Sequence, residues 1–176
     1  MLKLNYDKEE IIKIIDNIAR KTMSMDLVWD WPCGVAYYGI SRAYGTTGNK
    51  EYLNMLIKWT DEYIESGLPE WTINTCAMGH MLITLYEETG EEKYWDIIMS
   101  KVDFLRNHAE RFGDKVLIHL GFKEQAWADT LFMAAFFLLR VGVKLKDQDM
   151  INDALNQYYW HIKYLQDPGT GFWYHG

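Results

Sequence analysis

Ala43-Tyr44-Gly45-Thr46-Thr47-Gly48-Asn49-Lys50-Glu51-Tyr52 and Leu85-Tyr86-Glu87-Glu88-Thr89-Gly90-Glu91-Glu92-Lys93-Tyr94 are two weak copies of one pattern, and Gly48 and Gly90 set their offset at 42 residues. In each copy an apolar helix ends at a glycine suited to a left-handed C-cap. The next helix then opens with acidic residues that favour a helix N-terminus. Repeats of roughly 40 residues built from helix pairs signal stacked helical hairpins, as solenoids or toroids. Two copies do not choose between these.

Working outward, the chain reads as helix after helix, with breaks at Gly, Pro and charged turns and no convincing run of alternating strands. About seven helices are predicted, near 7–23, 33–44, 50–66, 75–89, 91–111, 125–141 and 148–165, with ends good to a few residues. Their polarity alternates. The first, third, fifth and seventh carry charged faces, as in Lys8, Glu9, Lys13, Asp16 and Arg20, and read as amphipathic and water-facing. The second, fourth and sixth are nearly uncharged and read as buried on all sides. That alternation predicts an all-α chain of two concentric layers of hairpins.

The sixth helix holds the residue that points to chemistry. In Gln125-Ala126-Trp127-Ala128-Asp129-Thr130-Leu131-Phe132-Met133-Ala134-Ala135-Phe136-Phe137-Leu138-Leu139 a single carboxylate, Asp129, lies in an otherwise apolar run. Burying an unpaired charge costs several kcal/mol, roughly, unless partners hold it or it takes up a proton. A carboxylate with a tunable pKa is what acid–base chemistry at neutral pH requires. The structural alternative is an N-cap or first-turn acid that satisfies free helix amides.

Composition bounds the rest. The 176 residues are 49% apolar with a net charge of −7, which excludes disorder and, without a basic cluster, argues against nucleic acid or an anionic membrane surface. The apolar runs are too short and interrupted to span a bilayer. The first ten residues show no signal-peptide pattern, so a cytoplasmic protein of one domain, residues 1–176, is expected. Cys33 and Cys76 form no metal spacing and read as free buried thiols. His80, His108, His119, His161 and His175 are dispersed, with no pair at zinc-binding spacing, so no metal or cofactor is expected. Cys76, His80, Met78, Met81 and Met133 read as core. Eight Trp and twelve Tyr supply either core packing or flat surfaces for stacking on sugar rings.

Four segments occur in an order similar to that of the unsaturated rhamnogalacturonyl hydrolases, glycoside hydrolase family 105. They are Trp29-Asp30-Trp31-Pro32-Cys33-Gly34-Val35-Ala36-Tyr37-Tyr38-Gly39, then Asn74-Thr75-Cys76-Ala77-Met78 with Leu85 to Gly90, then Trp127 to Met133, and finally Asp167-Pro168-Gly169-Thr170-Gly171-Phe172-Trp173-Tyr174-His175-Gly176. The resemblance implies a fold of concentric hairpins, the (α/α)6 barrel. It also implies metal-free hydration of a 4,5-unsaturated uronic acid on an oligosaccharide end. Asp129 stands where the family's aspartate protonates the ring double bond. One group acting as acid and then base suffices for this reaction, whereas an ordinary glycosidase needs two carboxylates flanking the bond. Glu124, five positions earlier, falls about 140° away on an ideal helix and offers no obvious second carboxylate.

By the same resemblance Tyr38 and His175 match positions lining the sugar site, and His119 is a looser match. Asn74 lies near where some relatives carry a second acid; an amide there can bond the substrate but cannot share a proton, and it equally suits a helix cap. Trp31 and Trp127 suit sugar contact or rim packing. Family members are about twice this length, so only half of a barrel is expected, a partial (α/α)6 toroid. Its open edges would expose far more than a few hundred Å2 of apolar surface, roughly, and a homodimer completing the barrel is expected to cover them. Two functions follow: a hydrolase of pectin-derived unsaturated uronyl oligosaccharides, or a non-catalytic helical-repeat module that binds sugar or protein through its aromatic face.

Overall fold

The computed structural model describes residues 7–113, 115–119, 121 and 123–176, so Met1–Tyr6 of the stretch read for a signal peptide lie outside it. Seven α-helices run α1 Lys8–Met23, α2 Trp31–Thr47, α3 Lys50–Ser66, α4 Gly79–Thr89, α5 Glu92–Asp103, α6 Phe137–Leu145 and α7 Gln148–Leu165. Local chemistry sets many of these ends. Asp7 and Glu10 form a reciprocal capping box on α1, Asn49 caps α3 and Asp147 caps α7. Gly48 and Gly90, the repeat glycines, both adopt φ of 70° and close α2 and α4.

Helices α2, α4 and α6 form the inner layer, and α1, α3, α5 and α7 the outer one. Tyr37, Cys33, Met81, Leu82, Leu85, Phe137, Leu138 and Val141 are fully buried where the inner helices meet. Cys33 and Cys76 are free and buried, and Met78, Met81, Met133 and His80 belong to the core as read from the sequence. Among the described residues no helix is long and apolar enough to cross a membrane.

Several expectations are corrected. The inner helices are not buried on every side. Trp31 and Val35 on α2 are 46% and 43% exposed, and Val143 and Leu145 on α6 are 59% and 43% exposed. Among the described residues only α4 lies between two other inner helices, meeting α2 on one side and α6 on the other. Ile11, Ile14 and Ile18 of α1 are exposed as well. Ile15, Ile18, Val35, Ala36, Gly39 and Ala43 line an apolar groove of about 390 Å3 between α1 and α2.

The fifth helix ends short of residue 111. α5 runs into a π-helical turn, Phe104–His108, and gives way to a hairpin of β1 Arg111–Phe112 with β2 Val116–Leu117. A tertiary contact decides this: the Arg111 guanidinium bonds both carboxylate oxygens of Asp153 on α7 at 2.8 Å and also the carbonyls of Leu105 and Lys115. The sixth helix begins later than 125, in a π-helical turn Leu131–Phe136 that leads into α6. Asp129 therefore lies in the turn before the helix.

One lysine is buried outright. Lys101 of α5 is 0% exposed; its Nζ donates to the Thr75 carbonyl at 2.9 Å and lies 3.9 Å from the centre of the Trp71 ring. Desolvation lowers its pKa to about 8. The unfolded lysine binds a proton up to about pH 10, so this group's contribution to stability rises as pH climbs from about 8. Lys101→Met is accordingly expected to be at its most stable, relative to wild type, at neutral pH, with the advantage shrinking toward pH 10. Chemical denaturation across that range checks this.

Candidate active site

The three inner helices start at one end of the molecule. A 3-10 turn, Asn74–Met78, precedes α4 and packs against both the start of α2 and the π turn Leu131–Phe136. The first turns of the inner layer thus converge at the end of the molecule that carries Asp129.

Asp129 enters this end from the loop. Its backbone carbonyl accepts the Phe132 and Met133 amides at 3.0 Å each, so the main chain starts the helix. Its side chain does not cap: Oδ1 is buried and has no hydrogen-bond partner among the described residues. The side chain as a whole is 32% exposed, so one edge of the carboxyl group faces inward and the other reaches the surface. A buried acceptor without a partner costs about 1–3 kcal/mol, which a fold retains where the group has other work.

Three predicted residues gather around it. His119, 2% exposed, follows strand β2, and its Nδ1 lies 3.6 Å from Asp129 Oδ1 and 2.9 Å from Thr130 Oγ1. Burial pushes its pKa down, with the Asp129 charge opposing and His175 reinforcing the shift. The Trp127 ring stacks on His119 at 5.1 Å and 10°, while His175 meets Trp127 edge-on at 5.1 Å. His175 arrives because Asp167 folds the terminal segment back, accepting the Gly169 and Thr170 amides at 2.8 Å. The His175 carbonyl then takes the Ala128 amide at 2.7 Å. The result is an acid beside a stacked aromatic platform with an imidazole at its rim.

No described contact joins the remaining predicted residues to Asp129. Asn74, 7% exposed, starts the 3-10 turn without capping it; its buried Oδ1 is unpaired. It lines a hollow of about 690 Å3 with Trp29, Asp30, Tyr63 and Thr72. Trp31 opens α2 at its exposed end. Tyr38 sits two turns further along, against His80 at 5.1 Å and Phe132 at 6.0 Å and beneath the Arg140 guanidinium at 5.4 Å. His80 donates from Nε2 to the Phe132 carbonyl, and Arg140 donates to its Nδ1; burial lowers its pKa to about 4. Glu124 is exposed, outside any helix, with φ of 57°.

The sequence reading missed the supports on α7. Met150, Ala154, Gln157, His161 and Leu165 form its buried stripe at helical spacing, so two polar residues on an apolar stripe were a readable signal. Gln157, 0% exposed, accepts the Leu117 amide at 3.0 Å and donates to the Lys115 carbonyl at 3.1 Å, fixing the hairpin that delivers His119. Gln157→Leu is expected to cost about 1–3 kcal/mol by orphaning those groups, read as a lowered melting temperature. Among the described residues no three His, Cys, Asp or Glu side chains are placed to hold a metal ion.

Known proteins resemble the chain in sequence and fold. The family model described as Glycosyl Hydrolase Family 88 matches residues 6–176. The unsaturated rhamnogalacturonyl hydrolase YesR of Bacillus subtilis is 42% identical over 181 residues, covering 99% of this chain and 53% of YesR. The structure of a possible member of GH105 family from Klebsiella pneumoniae superposes with a TM-score of 0.90 at 24% identity, covering 99% of this chain and 52% of that one. A Clostridium structure, the C. acetobutylicum glycoside hydrolase from family 105, gives a TM-score of 0.82 at 28% identity over 93% and 48% of the two chains. The chain spans about half the length of the relatives it matches. With the helical hairpins of a partial (α/α)6 toroid and a match along residues 6–176, it belongs to glycosyl hydrolase family 88.

Proposed function

We propose that this chain carries the acid–base centre of a hydrolase acting on 4,5-unsaturated uronyl oligosaccharides derived from pectin, in the cytoplasm, with Asp129 as general acid and then base. The observation that carries this reading is the buried, unpaired Oδ1 of Asp129 at the mouth of the inner helices, beside His119 and the Trp127 platform. The Asp129 O–H bond breaks as its proton passes to the ring double bond. Water adds to the resulting cation, and the proton that water sheds returns to Asp129. The hydrated sugar then opens and releases its neighbour. The Trp127 face and the His175 edge suit a sugar ring and its hydroxyl groups. Incubation with an unsaturated rhamnogalacturonan disaccharide tests the reading through the ultraviolet band of the conjugated uronate. Loss of the band supports it, and a flat trace with folded protein favours the binding module.

The open edges bear on the assembly. Relatives are about twice as long, and the apolar groove between α1 and α2 and the exposed Val143 and Leu145 of α6 lie on the first and last hairpins. A second copy across a twofold axis would cover both edges and place two Asp129 side chains in one cavity. Light scattering at micromolar concentration is expected to give a dimer. A monomer there removes this assembly.

A further inference from the structure

Thr130 follows Asp129 in the chain, and its hydroxyl is buried against the candidate site without a part in the proton transfer. The residue is 0% exposed, and its amide, which donates to the Trp127 carbonyl at 3.1 Å, already holds the turn. Among the described residues the hydroxyl has one hydrogen-bond partner, His119 Nδ1 at 2.9 Å. His119 is 2% exposed, with the Trp127 ring stacked against it. Burial pushes its pKa down, so at neutral pH the ring carries one hydrogen, on Nδ1 or on Nε2.

The hydroxyl decides between the two nitrogens. A hydrogen on Nδ1 would point at Thr130 Oγ1, and the hydroxyl's own hydrogen would then be buried without an acceptor, a costly state for a donor. A bare Nδ1 accepts that hydrogen and leaves nothing on Thr130 unmet. The same assignment accounts for Asp129. Its Oδ1 lies 3.6 Å from His119 Nδ1, beyond hydrogen-bond length, and is buried without a partner. Two acceptors do not bond, whereas a hydrogen on Nδ1 would draw the carboxyl group in.

We propose that Thr130 is a positioning residue for the acid–base centre: its hydroxyl donates to His119 Nδ1, fixes the hydrogen of that ring on Nε2, and so keeps the imidazole from binding Asp129 Oδ1. This rests on reading Asp129 as the general acid and base, since such a group must meet the sugar with an oxygen that no side chain has claimed. Gln157 acts differently. It bonds the backbone of the hairpin at Leu117 and Lys115, so it sets where His119 stands and not where its hydrogen lies. In Thr130→Val the carboxyl oxygen is the polar group left facing Nδ1, so the hydrogen moves to Nδ1 and the ring closes on Asp129.

Nitrogen NMR of histidine-labelled protein reads the tautomer without turnover. In wild type the His119 hydrogen is expected on Nε2, with the Nδ1 resonance displaced from the free lone-pair position toward a hydrogen-bonded one. Thr130→Val should move the hydrogen to Nδ1, and Thr130→Ser, which keeps the hydroxyl, should leave it on Nε2. A hydrogen resident on Nδ1 in wild type overturns the proposal, as does one tautomer common to wild type and Thr130→Val. With the unsaturated disaccharide, Thr130→Val should lower kcat by about tenfold, the worth of one buried hydrogen bond, and Thr130→Ser should recover most of that loss. Turnover by Thr130→Val equal to that of an active wild type, or a loss that Thr130→Ser shares in full, also overturns it. If wild type shows no turnover, or Asp129→Asn keeps all of it, the general-acid reading falls separately, and the spectra still decide which nitrogen Thr130 serves.

Discussion

Asp129→Asn is expected to lower turnover of an unsaturated uronyl disaccharide by about a hundred- to ten-thousand-fold while leaving thermal melting unchanged. Asparagine keeps the volume of the side chain and its polar contacts but has no proton to give the ring double bond. The structure explains why folding is spared. The helix beginning at Leu131 is started by the Asp129 backbone carbonyl, and the side-chain Oδ1 bonds nothing that would be lost. A variant that melts normally and retains wild-type turnover would remove Asp129 from the chemistry. Unaltered sugar binding with no turnover in either protein would turn the reading toward the non-catalytic module.

Gly34→Ala is expected to destabilise the fold by about 3 kcal/mol, at the upper end of the cost of overpacking. A Cβ at Gly34 would lie 2.6 Å from the Ala77 Cβ, 2.7 Å from the Ala77 carbonyl carbon and 2.9 Å from the Met78 amide nitrogen. Two of those neighbours are backbone, so no side-chain rotation relieves the clash. α2 must back away from the 3-10 turn, carrying the first turns of the inner helices apart. For a chain of this size the melting temperature should fall by roughly 6–12 °C. Gly39 on the same helix is the control: a Cβ there meets nothing within 4 Å, and Gly39→Ala should gain about 0.5–1 kcal/mol. Equal melting temperatures for the two variants would show that the close approach at Gly34 does not constrain the fold.

Much of the architecture was legible before any coordinates. The glycine repeat placed two hairpin junctions, and both glycines take the left-handed conformation that only their lack of a side chain makes easy. The charge alternation separated outer from inner helices because a helix in water needs one polar face and a helix between helices needs none. Asp129 stood out because a lone charge among apolar residues requires a reason.

Periodicity overreached at the ends of elements. It ran the fifth helix through Arg111 and the sixth back to Gln125, since nothing in the local pattern shows that Arg111 is drawn to Asp153, 42 positions away, or that the Gln125–Asp129 segment is pinned by the His175 carbonyl. It also made the inner helices buried all round, because composition reports a helix's polarity and not how many neighbours it has.

The sequence by itself determined the helical class, the hairpin repeat, the inner and outer layers and the one carboxylate that draws attention, all of which depend on spacing along the chain. Only the tertiary structure decided which groups surround that carboxylate. His119 comes to it on a hairpin held by Gln157, and His175 reaches the adjoining Trp127 ring on a folded-back terminus, while Tyr38 packs against His80 and Asn74 lines a hollow with Trp29 and Tyr63. Such meetings depend on hydrogen bonds between residues far apart in the chain, Leu117 with Gln157 and Ala128 with His175, and no local spacing encodes them.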